Sequence, residues 1–256
     1  MKVVILAGGM GTRISIETYD KPKPMINING KPILWHIMKL YSHFGYNEFI
    51  ICTGYKSEVI TDYFLKSPGI VATENGQEAI EIKDKNNNWV IQLVNTGLNT
   101  MTGGRIKRIE KFTGSKPFFI SYGDTLCDVN IKNLLEFHKK NNAVVSMTAV
   151  KPPSQYGVIK FNGNSGVVDK FSEKSKEDAD WINGGFFVAE PGVFKLIESD
   201  ETVWEKEPLN SLVDDKKLFA YKHYGFWQSI ETLKDKNFIE NMIEHNQKPW
   251  MVWENN

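Results

Sequence analysis

The sequence predicts an α/β fold: a doubly wound, Rossmann-like, mostly parallel sheet with a smaller antiparallel portion. Three observations predict it. Short apolar runs alternate with segments of helical periodicity through residues 1–150. The first apolar run passes directly into a glycine-rich turn, as the first strand of an open α/β sheet does. After Pro152-Pro153 the texture changes to shorter strand signals broken by glycines.

The elements follow in order. Val3 to Ala7 is an apolar run that reads as a buried strand. Ile33, Leu34, Ile37, Met38 and Tyr41 recur at helical spacing, with Pro32 where a first turn tolerates it. Phe49 to Cys52 is a second strand and Lys56 to Phe64 a second helix. Residues 70–98 read as a hairpin excursion turning at Asn86-Asn87-Asn88. Phe118 to Tyr122 is a strand that runs into Gly123-Asp124, Ile131 to His138 a helix, and Val144 to Val150 a strand. Val158 to Phe161, Val167 to Phe171 and Trp181 to Val188 read as shorter antiparallel strands, with Gly163 and Gly166 around a hairpin turn. Helices are expected near 191–198 and 231–245. One domain is expected over 1–256, with a larger half at 1–150, a smaller half at 151–256 and a cleft between them.

Composition narrows the function. The chain has 256 residues, 41% of them hydrophobic and 24% charged, and its 31 basic residues balance 31 acidic ones. That balance suits a globular protein with a core and offers no general attraction to nucleic acid or to a membrane surface. No stretch approaches the 18 apolar residues of a membrane span, so the cytoplasm is the expected place. Cys52 and Cys127 lie in or beside apolar runs and read as ordinary buried thiols. Only three of the basic residues are arginines, Arg13, Arg105 and Arg108, each just after glycines. A planar two-pronged donor is not interchangeable with lysine, so their positions are informative.

The most informative segment is Leu6-Ala7-Gly8-Gly9-Met10-Gly11-Thr12-Arg13. Glycines there let backbone N–H groups close on an anion, and Arg13 adds a bidentate grip on phosphate oxygens. A dinucleotide fingerprint would need glycine where Ile14 stands, and a Walker A loop would need Ser or Thr where Pro32 follows Gly30-Lys31. Eight residues beyond Arg13 begins Lys21-Pro22-Lys23-Pro24-Met25, whose prolines hold an extended course that fixes where its lysines point.

These two segments together resemble the nucleotide-sugar pyrophosphorylase (sugar-phosphate nucleotidyltransferase) family. The resemblance continues nearly to the end of the chain. It includes Met101-Thr102-Gly103-Gly104-Arg105, Tyr122-Gly123-Asp124, Ile182-Asn183-Gly184-Gly185, Trp204-Glu205 and Gly225-Phe226-Trp227-Gln228, which are similar to the family's cytidylyltransferase branch.

The resemblance implies attack of a sugar 1-phosphate, glucose 1-phosphate first, on the α-phosphorus of CTP, with Mg²⁺ as cofactor and a homo-oligomeric assembly. Arg13, Lys23 and Asp124 would carry the chemistry. Leu6, Gly8, Gly9, Gly11, Thr12, Arg13, Thr102, Gly103 and Arg105 would bind nucleotide. Glu173, Lys174, Asn183 and Gly184 would bind the sugar phosphate, and Asp124 and Glu231 the metal. Alternatives are another phosphorylated substrate, another pyrimidine nucleotide, or a homologue that binds without turnover. Departures from the family pattern fall at Glu231, where the family has Asp, at Ser175, where it has Pro, and at Thr125, where it has Gly. Residues 65–90 are shortened and rewritten, and the family's Pro-Pro-Gly-Arg-Phe-Gly segment is here Pro152 to Gly157 without the arginine.

Overall fold

Val3 to Leu6 of the first strand are successive apolar residues, all buried, which is expected only where both faces of a sheet are covered. The computed structural model describes residues 1–11, 19–75, 79–152, 158–161, 168–172 and 180–254. Thr12, Arg13, Glu173, Lys174 and the turn expected at Gly163 to Gly166 therefore lie outside the described residues.

In chain order the described strands are β1 (Lys2–Leu6), β2 (Asn27–Ile28), β3 (Lys31–Pro32), β4 (Glu48–Thr53), β5 (Ile70–Asn75), β6 (Ala79–Asp84), β7 (Trp89–Asn95), β8 (Phe118–Tyr122), β9 (Thr125–Cys127), β10 (Val145–Val150), β11 (Val158–Phe161), β12 (Val168–Ser172), β13 (Ile182–Ala189), β14 (Leu218–Lys222) and β15 (Trp227–Ser229). The described α-helices are α1 (Ile33–His43), α2 (Ser57–Leu65), α3 (Thr102–Arg108), α4 (Glu110–Thr113), α5 (Ile131–Lys140), α6 (Glu207–Asp214) and α7 (Leu233–Glu244).

The main sheet has the order β14-β10-β13-β8-β1-β4-β7-β6-β5. Its centre, β8-β1-β4-β7, is parallel throughout. β13 enters antiparallel between β8 and β10, so the second half of the chain adds to the same sheet. Residue alternation along the strands makes two cores. Val3, Ile5, Phe49, Ile51 and Phe119 pack with α1 on one face. Val4, Leu6, Ile50, Cys52, Phe118 and Ile120 pack with Ile106, Phe194, Trp204 and Leu212 on the other. Both cysteines are buried and unpaired, as expected.

Three details differ from the expectation. The expected hairpin has three strands, β5, β6 and β7, and β7 returns to pair in parallel with β4. The carboxylate of Asp84 accepts from the N–H groups of Asn86 and Asn87 and so builds the turn between β6 and β7. The segment after β13 is a 3-10 helix, Pro191–Leu196, rather than an α-helix. Further elements were unassigned: the short hairpin β2–β3, turning on Asn29 (φ 51°) and Gly30 (φ 78°), the strands β9, β14 and β15, and the helices α3, α4 and α6. The hairpin is an Asn-Gly turn between strands too short to show alternation.

The connections fix where a ligand can sit. From β1 the chain crosses through α1 to β4 on one side, while β8 lies on the other. The crevice beyond the carboxyl ends of β1 and β8 is therefore a topological switch point. Both candidate segments, the glycine loop after Leu6 and Gly123-Asp124 after Tyr122, open onto it.

Candidate active site

A cavity of about 360 Å³ occupies that crevice. Its lining includes Leu6, Gly8, Gly9, Gly11, Lys23, Thr102, Arg105, Tyr122, Asp124 and Glu231. The volume and the mix of backbone and charged groups fit a small-molecule site.

The glycine loop leaves β1 with its path fixed from below. Arg105, only 4% exposed, donates from Nη2 to the Gly8 carbonyl (2.9 Å) and from Nη1 to Thr96 Oγ1 and the Gly97 carbonyl (both 2.8 Å). A Cβ at Gly8 would collide with that guanidinium, so only glycine fits there. Burial lowers the Arg105 pKa, and its donors are met by carbonyls and a hydroxyl. Arg105, expected on the nucleotide side, lines the cavity, and its guanidinium braces the loop. Gly103 likewise gives its N–H to the Thr202 carbonyl (3.0 Å). Thr102 donates to Glu205 Oε2 (2.7 Å) and accepts from the Trp204 N–H (2.9 Å). Arg108 forms a two-pronged pair with Asp200 on the surface, which raises the arginine pKa and lowers that of the carboxylate.

Opposite the loop, three charged side chains converge. Pro22 holds an extended backbone into the turn Lys23–Met25, which buries the lysine stem. Lys23 Nζ lies 3.0 Å from Asp124 Oδ2 and 3.0 Å from Glu231 Oε2. The two carboxylates come from one ribbon. β9 pairs antiparallel with β15, and the Ile230 N–H donates to the Asp124 carbonyl (2.9 Å). Glu231 is fixed further. Its N–H donates to Asp235 Oδ2 (3.1 Å), its Oε1 accepts from Ser229 Oγ (3.2 Å), and Asp235 with Thr232 forms the capping box of α7. Two carboxylates meeting at one point make a hard oxygen donor set of the kind that binds Mg²⁺ or a related divalent cation. The longer Glu231 side chain still reaches the point where Asp124 and Lys23 meet.

Asn183 and Gly184, the pair expected on the sugar side, lie within β13. Asn183 Nδ2 donates to the Tyr122 hydroxyl (3.1 Å), and the Gly184 carbonyl accepts from Trp227 Nε1 (2.8 Å). Tyr122 lines the cavity and donates to Glu205 Oε1 (2.6 Å). Burial, and then the charge of Glu205, push the Tyr122 hydroxyl pKa well above its ordinary value, so the group stays a proton donor. The structure thus brings together Leu6, Gly8, Gly9, Gly11, Lys23, Thr102, Arg105, Asp124 and Glu231 at one cavity, with Asn183 joined to it through Tyr122. Tyr122, Glu205 and Asp235 carried no site role in the sequence reading. The one signal for Tyr122 and Glu205 was their place in short segments already singled out; Asp235 sits four residues beyond Glu231 at the start of a helix.

Among the described residues, no helix is long and apolar enough to cross a membrane. Residues 2–235 match the nucleotidyl transferase family. A glucose-1-phosphate cytidylyltransferase of Salmonella typhimurium is 45% identical over 99% of this chain and 100% of its own length. A probable glucose-1-phosphate cytidylyltransferase of Bacillus subtilis is 40% identical, with the same coverage. Among solved structures, a putative glucose-1-phosphate thymidylyltransferase from Bacillus anthracis, in complex with sucrose, superposes with a TM-score of 0.71 at 17% identity, covering 94% of each chain.

Proposed function

The chain belongs to the nucleotidyl transferase family, and we propose that it transfers a cytidylyl group from CTP to a sugar 1-phosphate, α-D-glucose 1-phosphate, giving CDP-glucose and pyrophosphate. The observation that carries the chemistry is the convergence of Lys23, Asp124 and Glu231, at 3.0 Å contacts, beside a glycine loop at the switch point of the sheet. The choice of CTP and glucose 1-phosphate is supported by the full-length likeness to the cytidylyltransferases.

In this reading a phosphate oxygen of the sugar 1-phosphate attacks the α-phosphorus of CTP. A bond forms there, the bond to the bridging oxygen breaks, and pyrophosphate leaves with the electron pair. No protein nucleophile is needed, so the residues act by positioning and by balancing charge. The backbone of Gly8, Gly9 and Gly11, with Leu6, Thr12 and Arg13, cradles the nucleotide phosphates. Lys23 balances charge on the α-phosphate. Thr102, Gly103 and Arg105 form and support the nucleotide wall. Glu173, Lys174, Asn183 and Gly184 take the sugar phosphate, so that residues 1–150 serve the nucleotide and 151–256 the acceptor. Asp124 and Glu231 would hold Mg²⁺, which when bound supplies positive charge against two mutually repelling anions. The protein acts in the cytoplasm as a homo-oligomer; two buried unpaired cysteines agree with a reducing compartment.

Product analysis tests the reading. With Mg²⁺ and glucose 1-phosphate, CTP should yield CDP-glucose by mass spectrometry at least tenfold faster than UTP or dTTP yields its counterpart. Turnover of UTP without turnover of CTP would overturn the nucleotide assignment, and a panel of other sugar 1-phosphates checks the acceptor in the same way.

A further inference from the structure

Glu205 sits outside the cavity lining yet carries two of its wall residues. Its Oε2 accepts from Thr102 Oγ1 at 2.7 Å and its Oε1 from the Tyr122 hydroxyl at 2.6 Å. Both hydroxyls have their other partner fixed as a donor. Thr102 accepts from the Trp204 N–H, and Tyr122 accepts from Asn183 Nδ2. The Asn183 amide is oriented in turn, because its Oδ1 accepts from the Gly185 N–H at 2.9 Å. Gly185 has φ +74°, and a Cβ there would press on the Tyr122 ring at 2.9 Å. Each hydroxyl has one proton, and both protons are committed to Glu205. Only a group that accepts at two oxygens and donates at neither satisfies this arrangement, and an ionised carboxylate is that group.

We propose that Glu205 is a positioning residue that sets the nucleotide wall, through Thr102, and the sugar-phosphate wall, through Tyr122 and Asn183, in one geometry. The proposal rests on the reading of Thr102 and Asn183 as residues of the two substrate sides. It assigns Glu205 no contact with the reacting atoms. A fixed wall lowers the cost of ordering each substrate, so loss of the carboxylate weakens both.

Three variants test it, read by steady-state KM for CTP and for glucose 1-phosphate, with far-UV circular dichroism and thermal melting alongside. Glu205→Gln keeps the shape but sets an NH₂ group against one hydroxyl proton. It should raise both KM values at least fivefold while the fold is retained. Thr102→Val cuts one arm and should raise the KM for CTP alone. Tyr122→Phe cuts the other and should raise the KM for glucose 1-phosphate alone. Unchanged KM values in a folded Glu205→Gln, or a change in only one, would overturn the proposal. Should Glu205→Gln fail to fold, the one-sided effects of the other two variants support the proposal, and an effect on both substrates or on neither from either variant overturns it. Absence of turnover by the wild type on any nucleotide and sugar 1-phosphate is a separate result, which overturns the functional reading and this inference with it.

Discussion

Asp124 and Glu231 differ in how much freedom the chain leaves them. Asp124 sits between β8 and β9 with its carbonyl tied to the Ile230 N–H. Glu231 reaches the same point on a longer stem, steadied by Ser229 and by the backbone bond to Asp235. Asp124→Asn removes one charge without changing shape and should abolish metal-dependent turnover, a loss of at least 100-fold in kcat, with the fold retained by far-UV circular dichroism. Retained activity would show that the metal site is misplaced. Glu231→Asp shortens the reach by one methylene, and an error near 1 Å costs on the order of 100-fold in positioned catalysis. The Mg²⁺ concentration for half-maximal rate should therefore move at least fivefold; unchanged turnover and Mg²⁺ dependence would remove the support for Glu231 as a ligand.

At the scale of elements, the ribbon β9–β15 and the start of α7 act as the mount for both carboxylates. Asp235 gathers the N–H groups of Glu231 and Thr232 and the Thr232 hydroxyl onto one oxygen. Asp235→Ala should cost about 1–2 kcal/mol of stability, as loss of a capping interaction does. It should also lower kcat by an order of magnitude, because Glu231 loses its anchor; urea denaturation and initial rates measure the two effects separately. A stability loss with kcat intact would restrict Asp235 to capping. The same elements show what the sequence could reveal. The parallel core was legible because its strands are continuous apolar runs, and the site's first wall was legible because glycines cluster after β1. The helix α3 was not, since Gly103 and Gly104 disguise it; the glycines are explained by the close approach of the backbone of Asp200 and Thr202, which a Cβ at Gly104 or Gly103 would meet at 2.5 or 2.6 Å. Arg105 was assigned to the ligand because its type suits phosphate, and only the fold shows that its Nη2 also donates to the backbone of the glycine loop. Glu205 is about a hundred residues from Thr102, a pairing that no local pattern carries.

Across the whole molecule, the described C-terminal segment is latched to α1 through aromatic rings around a buried histidine. His36 is 2% exposed, its Nε2 lies 2.9 Å from the Ile28 carbonyl, and its ring packs edge-on against Trp250. Burial lowers its pKa to about 4. The folded state therefore keeps His36 neutral where the unfolded chain would protonate it, from about pH 6.5 downward. Stability from this source is full above about pH 6.5, falls as the pH drops, and levels off near pH 4 after a loss of about 3 kcal/mol. Urea denaturation at successive pH values measures that slope, and His36→Leu should flatten it; an unchanged slope would place the acid sensitivity elsewhere. The net charge of zero conceals a similarly local arrangement, because Lys23 and its two carboxylates are gathered in one crevice.

The most direct measurement is the initial rate of pyrophosphate release from CTP with Mg²⁺, with and without glucose 1-phosphate. Release that depends on the sugar phosphate, is lost on chelation with EDTA and is absent in Asp124→Asn is the predicted result. No release from CTP with glucose 1-phosphate or any other sugar 1-phosphate would contradict the assignment of this chain as a cytidylyltransferase.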